Sequence, residues 1–376
     1  MRDRGSRRVF WAVLCAAFLF VGTAGIGLAA DTIKFGVAGA HSGDLASYGL
    51  PTVKAAELAV KEVNDRGGIR GKLVELLVED DQCKPEHATN AATKLISEGV
   101  HVVLGHICSG ATKAALKIYL DSKIIVMSPS ATNTELTLSG EYPNFYRTIA
   151  YDDAQAELQV KYATETLQVK KVAVLHDKGD YGKGQAELAK KYFEKAGVSV
   201  ALFEGVTPGA VDYSAIVQKV KRADVDLVTW GGYHPEASKV VTLMRRKKMD
   251  NLFMGADGIK DETFIKVAGA NAEGVYATGP MDTSANPMYI EAKKAHQKAY
   301  GSDPGPFFFE AYAAAKALLN ALEKAGSTDY DAMTKALRTE YVETPLGKIS
   351  FDGNGDATGI GFTVYKVDAG NYVEMK

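Results

Sequence analysis

The sequence lacks several features that would mark a particular class of protein. It has no low-complexity segment, no short-period repeat and, beyond its N-terminus, no apolar run long enough to cross a membrane. Cysteine is scarce, with three residues in 376. Basic residues are not in excess either, since the formal net charge is −2. This charge disfavours nucleic acid and anionic membranes as partners.

Motifs for catalysis and cofactor binding are also missing. Gly36 and Gly39, at the end of the first predicted strand, do not have the G-x-G-x-x-G spacing of a dinucleotide site. No Ser-His-Asp or Cys-His arrangement emerges, and no reactive group stands out among the candidate ligand-binding residues. We therefore expect neither an enzyme nor a bound cofactor.

Two patterns resemble metal sites only in part. Residues 352–356, Asp-Gly-Asn-Gly-Asp, have the acid spacing of a Ca²⁺ loop but lack its following glycine and later glutamate, so we predict a hairpin turn. His234 and Glu236 follow a predicted strand, where nearby side chains diverge in direction. The start of a helix explains this pair better, and we expect no metal.

The N-terminus has the pattern of a secretory signal peptide. Four arginines lie in residues 1–9, an apolar run from Phe10 to Leu28 follows, and Ala29 and Ala30 end it. A retained membrane anchor is the alternative, but the run contains glycines and has no cationic flank after it. We expect cleavage near Ala30 and a periplasmic protein. Residues 6–10, Ser-Arg-Arg-Val-Phe, resemble a twin-arginine signal, so the export route stays open.

Removal of residues 1–30 changes the charge and the cysteine count. Four arginines and one aspartate are lost, which takes the net charge from −2 to −5. Cys15 is also lost, and Cys83 and Cys108 remain, an even number in an oxidising compartment. A bridge between them would stabilise the fold by roughly 3 kcal/mol in the chain-entropy model. Two buried free thiols are the alternative.

The rest of the chain alternates strand and helix patterns. Apolar strands are predicted at residues 33–38, 73–78, 101–105 and 124–127, with helices between them, and a similar series begins near residue 150. Repeated β-α-β units predict an α/β fold with mainly parallel sheets flanked by helices. The length predicts two similar lobes joined by a multi-strand hinge. Their expected boundaries are 31–150 plus 281–356 for lobe 1, and 151–280 plus 357–376 for lobe 2.

Polar residues follow the predicted strands, where ligands bind in parallel sheets. Ser109 opens a helix, whose free N–H groups favour a carboxylate, and Thr132 would add a hydroxyl. Asp257 offers a charge-assisted bond to an ammonium. Helix capping or a turn would explain each residue taken singly. Their joint placement indicates a site for a zwitterion.

Several segments, none of them specific alone, together match one family. They are Gly39–Gly43, Asp80–Cys83, Gly105–Ser109, Pro129–Thr132, His176–Lys178, Tyr181–Gly184 and Gly231–Glu236. With them, the chain from Ile33 to about Val367 resembles the branched-chain amino-acid binding proteins of bacterial ABC importers. That resemblance implies the type I periplasmic binding fold and the family's disulfide between Cys83 and Cys108.

The resemblance also implies roles for individual residues. The ligand carboxylate would be held by Ser109, Thr132 and Tyr233. The ammonium would be held by the Ser130 carbonyl, the Thr132 hydroxyl and Asp257. The side-chain pocket would be lined by Tyr48, Ile107, Tyr181 and Phe307.

Three positions depart from the family pattern. Asp257 replaces the glutamate of leucine-binding members and is one methylene shorter, so the ammonium could bind through a water, or a γ-amino acid could fit. Ser130 stands where many relatives have alanine, and Gly110 where a serine is common. These changes concern the choice of ligand and leave the fold assignment alone.

We expect a monomeric periplasmic protein that binds an aliphatic amino acid (Leu, Ile or Val) by hinge closure. It would deliver the ligand to the permease subunits of an ABC importer. The alternatives are another small amino acid such as γ-aminobutyrate, or a receptor domain that senses amino acids or amides. Such receptors usually carry an attached output domain, whereas this chain ends at Lys376 soon after its last predicted strand. That ending favours transport.

Overall fold

The computed structural model describes residues 32–375. In that range the chain forms two large β-sheets with α-helices packed against them. The predicted signal peptide and Cys15 lie outside the described residues. No helix of the described part is long and apolar enough to span a membrane.

The first sheet is parallel throughout. Its strands are β1 (Ile33–Gly39), β2 (Val74–Asp80), β3 (Val102–Leu104), β4 (Ile125–Ser128) and β5 (Phe145–Arg147). They lie in the order β2-β1-β3-β4-β5. The helices that connect them are α1 (Ala46–Asn64), α2 (Pro85–Ser97), α3 (Ser109–Asp121) and α4 (Glu135–Leu138).

Alternate side chains of β1 enter opposite hydrophobic layers. Phe35 and Val37 belong to the layer formed with α1, whereas Ala38 faces the layer formed with α2 and α3. A strand buried on both faces needs apolar residues at every position, which is why β1 is nearly continuous in apolar residues. Phe35 is fully buried, and burial of such a side chain stabilises a fold by about 1.5–3 kcal/mol.

The second sheet begins after α5 (Asp152–Glu165) and is mixed. Its parallel strands are β6 (Lys171–His176), β7 (Ser199–Gly205), β8 (Leu227–Gly231), β9 (Leu252–Gly255) and β10 (Tyr276–Pro280). The helices between them are α6 (Asp180–Lys195), α7 (Ser214–Ala223), α8 (His234–Arg246) and α9 (Glu262–Ala268).

The C-terminal third contributes to both sheets. Three helices, α10 (Pro287–Tyr300), α11 (Phe308–Ala325) and α12 (Tyr330–Thr339), are followed by the hairpin β11 (Val342–Thr344) and β12 (Gly347–Ile349). Side chains of α11 belong to the core of the first sheet. The last strands, β13 (Phe362–Asp368) and β14 (Asn371–Glu374), add antiparallel to the second sheet, giving the order β14-β13-β10-β9-β8-β6-β7.

The predicted α/β class is therefore confirmed, with differences at the ends of elements. The apolar patterns predict that three helices begin at residues 53, 112 and 185. In the structure these helices, α1, α3 and α6, begin three to seven residues earlier, because polar and glycine-containing first turns hide a helix start. Strands β5 and β10 were not predicted. They are short and flanked by turns, which leaves little periodic pattern to detect. The residue boundaries of the two lobes stay a prediction.

Candidate functional site

Seven of the nine predicted ligand-binding residues line one narrow cavity of about 10 Å³. They are Tyr48, Ile107, Ser130, Tyr181, Tyr233, Asp257 and Phe307. Segments that follow strands of the first sheet supply Ile107 and Ser130, and segments that follow strands of the second sheet supply Tyr181, Tyr233 and Asp257. The remaining two, Ser109 and Thr132, do not line the cavity. Both are buried, and they follow Ile107 and Ser130 closely in the sequence. The carboxyl ends of parallel strands thus bring these residues together.

Ser109 and Thr132 present hydroxyls that the fold does not use as helix caps. The residues that precede α3 and α4 are Cys108 and Thr134, so neither hydroxyl belongs to an N-cap residue. The Ser109 Oγ accepts a bond from the Asn133 backbone N–H at 3.2 Å. The Thr132 Oγ1 is buried and makes no well-formed hydrogen bond among the described residues, although it lies close enough to Asp152 to favour the charged form of that carboxyl. A buried, unpaired hydroxyl is costly unless something else bonds to it.

Asp257 is held in place by side chains from two helices. Its Oδ1 accepts bonds from the Tyr181 hydroxyl at 2.7 Å and from the Gln155 Nε2 at 2.9 Å. The Gln155 Oε1 in turn accepts from the Asp257 backbone N–H at 2.8 Å. Burial raises the pKa of this carboxyl, and the bonds from Tyr181 and Gln155 oppose that rise. These hydrogen bonds fix the carboxyl of Asp257 in position, and a positive charge that would lower its pKa is absent from its immediate neighbours among the described residues.

A second buried carboxyl, that of Asp152, lies near Asp257 and likewise forms no ion pair. Burial, followed by the nearby charge of Asp257, raises the pKa of Asp152 to about 8, and the Thr132 hydroxyl and the charge of Arg147 oppose that rise. Its Oδ2 has no hydrogen-bond partner within the described range. The buried guanidinium of Arg147 bonds to Asp356 at 2.5 Å instead. No lysine or arginine of residues 32–375 forms an ion pair with either Asp152 or Asp257.

Aromatic rings form the opposite wall of the cavity. The Tyr48 hydroxyl donates to the Gly258 carbonyl at 2.7 Å and lies 2.8 Å from the His234 Nδ1. The Tyr48 ring packs against Tyr233 and Phe307, with centroids 6.0 and 5.7 Å apart. Phe307 has a φ of 58°, a left-handed conformation that is rare for a bulky residue and costs about 1–3 kcal/mol. Such strain often marks a functional position.

The predicted disulfide is confirmed between Cys83 and Cys108. It ties the loop after β2 to the residue that precedes α3, and so anchors Ser109. The same region contains the fully buried His106, whose Nδ1 lies 2.5 Å from an Asp81 oxygen and whose Nε2 lies 3.2 Å from the Tyr119 hydroxyl. Covalent and polar links therefore fix the backbone that carries Ile107 and Ser109.

The two patterns that resembled metal sites have other roles in the structure. Residues 352–356 form a turn in which the Asp352 Oδ1 accepts from three following backbone N–H groups. His234 contacts Tyr48, whereas the Glu236 Oε1 accepts from the Gly209 backbone N–H, so the two side chains have separate partners. The part of the chain that the structure describes contains no cluster of three potential metal ligands.

Comparison with known proteins gives the family. A family model described as periplasmic binding protein matches residues 32–371. The chain belongs to this family. Named relatives of this periplasmic binding protein align with it along most of their own length. The leucine-, isoleucine-, valine-, threonine- and alanine-binding protein of Pseudomonas aeruginosa is 38% identical, over 96% of both chains.

Further relatives agree with this family assignment. The Leu/Ile/Val-binding protein of Escherichia coli K12 is 35% identical, over 89% of this chain and 91% of its own. Among solved structures, the branched-chain amino acid transporter substrate binding protein of Streptococcus pneumoniae in complex with isoleucine is 29% identical. Its TM-score is 0.81, over 92% of this chain and 100% of that one. The leucine binding protein of Thermotoga maritima shows the same fold, with a TM-score of 0.86 at 24% identity, over 92% and 98%.

The site of this periplasmic binding protein includes polar residues that the sequence analysis missed. Asp152, Gln155 and Gln159 lie on one buried face of α5, where apolar residues are usual. The Gln159 Nε2 donates to the Gly255 carbonyl at 2.9 Å and its Oε1 accepts from the Gln185 Nε2 at 2.9 Å. The available signal was their spacing of three and four residues, which places polar groups on one helix face.

Proposed function

We propose that this periplasmic binding protein is the solute-binding component of an ABC importer and captures a free amino acid. The observation that carries the proposal is the buried carboxyl of Asp257, which lies near Asp152 and forms no ion pair with a lysine or arginine of the described residues. Buried carboxylates need a compensating charge or a proton. An ammonium group in the cavity supplies that charge, with the Ser130 carbonyl and the Thr132 hydroxyl as its expected further partners.

The other end of the ligand is expected to be a carboxylate. Ser109 is the first residue of α3, a helix of 13 residues, so its backbone N–H is free of intrahelical bonds. The unpaired hydroxyl of Thr132 and the N-terminal dipole of α3 favour an anionic group at the same place. Tyr233 is the third proposed carboxylate ligand. An α-amino acid carries both charged groups on one carbon, which matches two neighbouring sites of opposite preference.

Hinge closure follows from the size of the cavity. A space of about 10 Å³ is roughly enough for one water molecule. An amino acid therefore reaches Tyr48, Ile107, Tyr181 and Phe307 only when the two sides move apart and close again. We propose that the sides are lobes 31–150 plus 281–356 and 151–280 plus 357–376. The chain would cross between them near residues 150, 280 and 356.

Aliphatic amino acids are the proposed ligands, because the lining is aromatic and aliphatic and because relatives at 35–38% identity are named for Leu, Ile and Val binding. The short side chain of Asp257 supports γ-aminobutyrate as the second candidate, since it leaves room for one more methylene in the ligand. We place the mature protein in the periplasm and assign it no catalytic role.

The replacement Asp257→Ala tests the proposal. The loss of the formal countercharge should weaken binding of leucine, isoleucine and valine at least tenfold, because bonds to charged groups contribute about 1.5–3 kcal/mol. Isothermal titration calorimetry on the mature protein measures the dissociation constants, with γ-aminobutyrate titrated in parallel.

Asp250→Ala is the matched control, because Asp250 is an exposed acid that lines a different cavity. It should leave all dissociation constants unchanged. Unchanged affinity in Asp257→Ala would refute the assigned pocket. Tighter binding of γ-aminobutyrate than of the three aliphatic amino acids by the wild type would replace the ligand and keep the pocket.

A further inference from the structure

A much larger cavity, of about 940 Å³, lies next to the proposed amino-acid pocket. Asp257 and Phe307 line both cavities, so the two share a wall. Ser47 of α1 and Glu310 of α11 line the large cavity from elements that pack on the first sheet, and Lys260 lines it from the segment after β9 of the second sheet. Its volume is within the usual range of small-molecule sites.

Lys260 is built into the wall of this cavity. Its side chain crosses β10 at Gly279, where a Cβ atom would come within 2.3 Å of the lysine Cδ. The ammonium lies 4.3 Å from the centroid of the Tyr365 ring and 5.9 Å from that of Tyr372. No ion pair of 4.0 Å or less joins Lys260 to an acid within the described residues. The rings position a cation that has no direct anionic partner.

Glu310 is the acidic counterpart on the first-sheet side. Glu310 is only 7% exposed, and no other residue of 32–375 forms a hydrogen bond or ion pair with its carboxylate, which is stabilised by its own backbone N–H. Burial raises the pKa of Glu310 to about 7, the charge of Lys260 opposes that rise, and Asp257 adds to it. The charges of Lys260 and Glu310 thus interact although the two side chains form no ion pair, so a gap separates them.

We propose that this large cavity is a second ligand site for a zwitterionic amino acid. Lys260 binds the ligand carboxylate and Glu310 binds the ligand ammonium. A simple anion would meet the charge of Glu310 and a simple cation that of Lys260, whereas a zwitterion complements both. Tyr289 and Phe309, whose ring centroids are 3.6 Å apart, supply an apolar wall for the ligand side chain. This site is additional to the proposed transport pocket.

Binding stoichiometry tests the second site directly. Equilibrium dialysis of the wild-type protein against leucine, phenylalanine and γ-aminobutyrate should give two bound molecules per chain for at least one of them. Lys260→Met and Glu310→Gln should each lower the affinity of the second event at least tenfold. Thr132→Val removes a group of the transport pocket only and should retain the second event. The dications and dianions putrescine and succinate, at the same concentrations, should not fill the second site.

Matched controls lie on the rim of the same cavity. Lys266→Met and Glu262→Gln replace exposed residues of like charge and should still bind two molecules. Melting temperatures of all variants check that each is folded. One molecule per wild-type chain, persistence of the second event in both Lys260→Met and Glu310→Gln, or preferential binding of putrescine or succinate overturns this second site. Failure of the proposed function alone is distinct, because it appears as two binding events that Thr132→Val leaves unchanged.

Discussion

At the scale of the residue, the protein buries two acids at the place where we propose that the ligand ammonium binds. Asp152 and Asp257 come from distant parts of the chain, α5 and the turn after β9, and each raises the free energy of charging the other. Asp257 could be predicted as a site residue from its position after a strand. Asp152 could not, because an acid in the first turn of a helix is ordinary when read from sequence. Only burial distinguishes it.

Asp152 should make stability depend on pH. In the folded protein its carboxyl keeps its proton up to about pH 8, whereas in the unfolded chain it loses it above about pH 4. The folded state binds more protons between these values, so the free energy of unfolding falls as pH rises. Asp152→Asn should lose less stability between pH 5 and pH 8 than the wild type, by at least about 1.4 kcal/mol. Urea denaturation of the ligand-free protein at both pH values measures this.

Asp368→Asn is the control for that experiment, since Asp368 is exposed at the end of β13. It should show the same fall in stability as the wild type. An identical fall in Asp152→Asn would show that Asp152 is ionised in the folded protein and that its burial is offset.

At the scale of the element, the disulfide and α3 form one unit. Cys108 immediately precedes α3, and the bridge to Cys83 closes a separation of 25 residues that contains α2. An even pair of cysteines could be read from the sequence, but the pairing came from resemblance. The structure adds a contact between His106 and Asp81, which also links the segment before α3 to the loop after β2.

Loss of the disulfide should therefore cost stability and also affect the site. The double variant Cys83→Ser, Cys108→Ser should lose about 3 kcal/mol of unfolding free energy, because its unfolded chain is less constrained. Urea denaturation with and without reductant measures the loss, and reductant should change the wild type only. A loss below about 1 kcal/mol would show that contacts around His106 hold the loop without the bridge.

At the scale of the whole molecule, polar contacts join elements of the first sheet to elements of the second, and three of them illustrate the pattern. The Ser47 Oγ donates to an Asp261 oxygen at 2.6 Å, the Tyr48 hydroxyl donates to the Gly258 carbonyl, and the Asn133 Nδ2 donates to the Asp180 carbonyl at 2.8 Å. If the sides open and close as proposed, these contacts break and re-form with each ligand. They should therefore influence ligand release.

Ser47→Ala tests this contribution without touching the small pocket, which Ser47 does not line. The lost bond to a carboxylate should raise the dissociation constant for leucine about tenfold, mainly through faster release. Stopped-flow fluorescence measures the release rate. Ser42→Ala is the matched control, because the Ser42 hydroxyl bonds to Asp80 within the first sheet's own elements. Equal rates in both variants would contradict a role for Ser47 in closure.

The sequence by itself determined the fold class, the family and most of the residues that line the small cavity. Alternating apolar strands and amphipathic helices can form little else than helices on parallel sheets, and Ser109, Thr132 and Asp257 each follow the carboxyl end of a strand, the first two in the first sheet and Asp257 in the second. Tertiary structure alone decided the rest. Lys260 and Glu310 face one cavity, α11 joins the first core and β13 joins the second sheet, because long-range packing brings together residues with no common period or motif. The absence of catalytic, cofactor and repeat motifs from the sequence gives no information about those contacts.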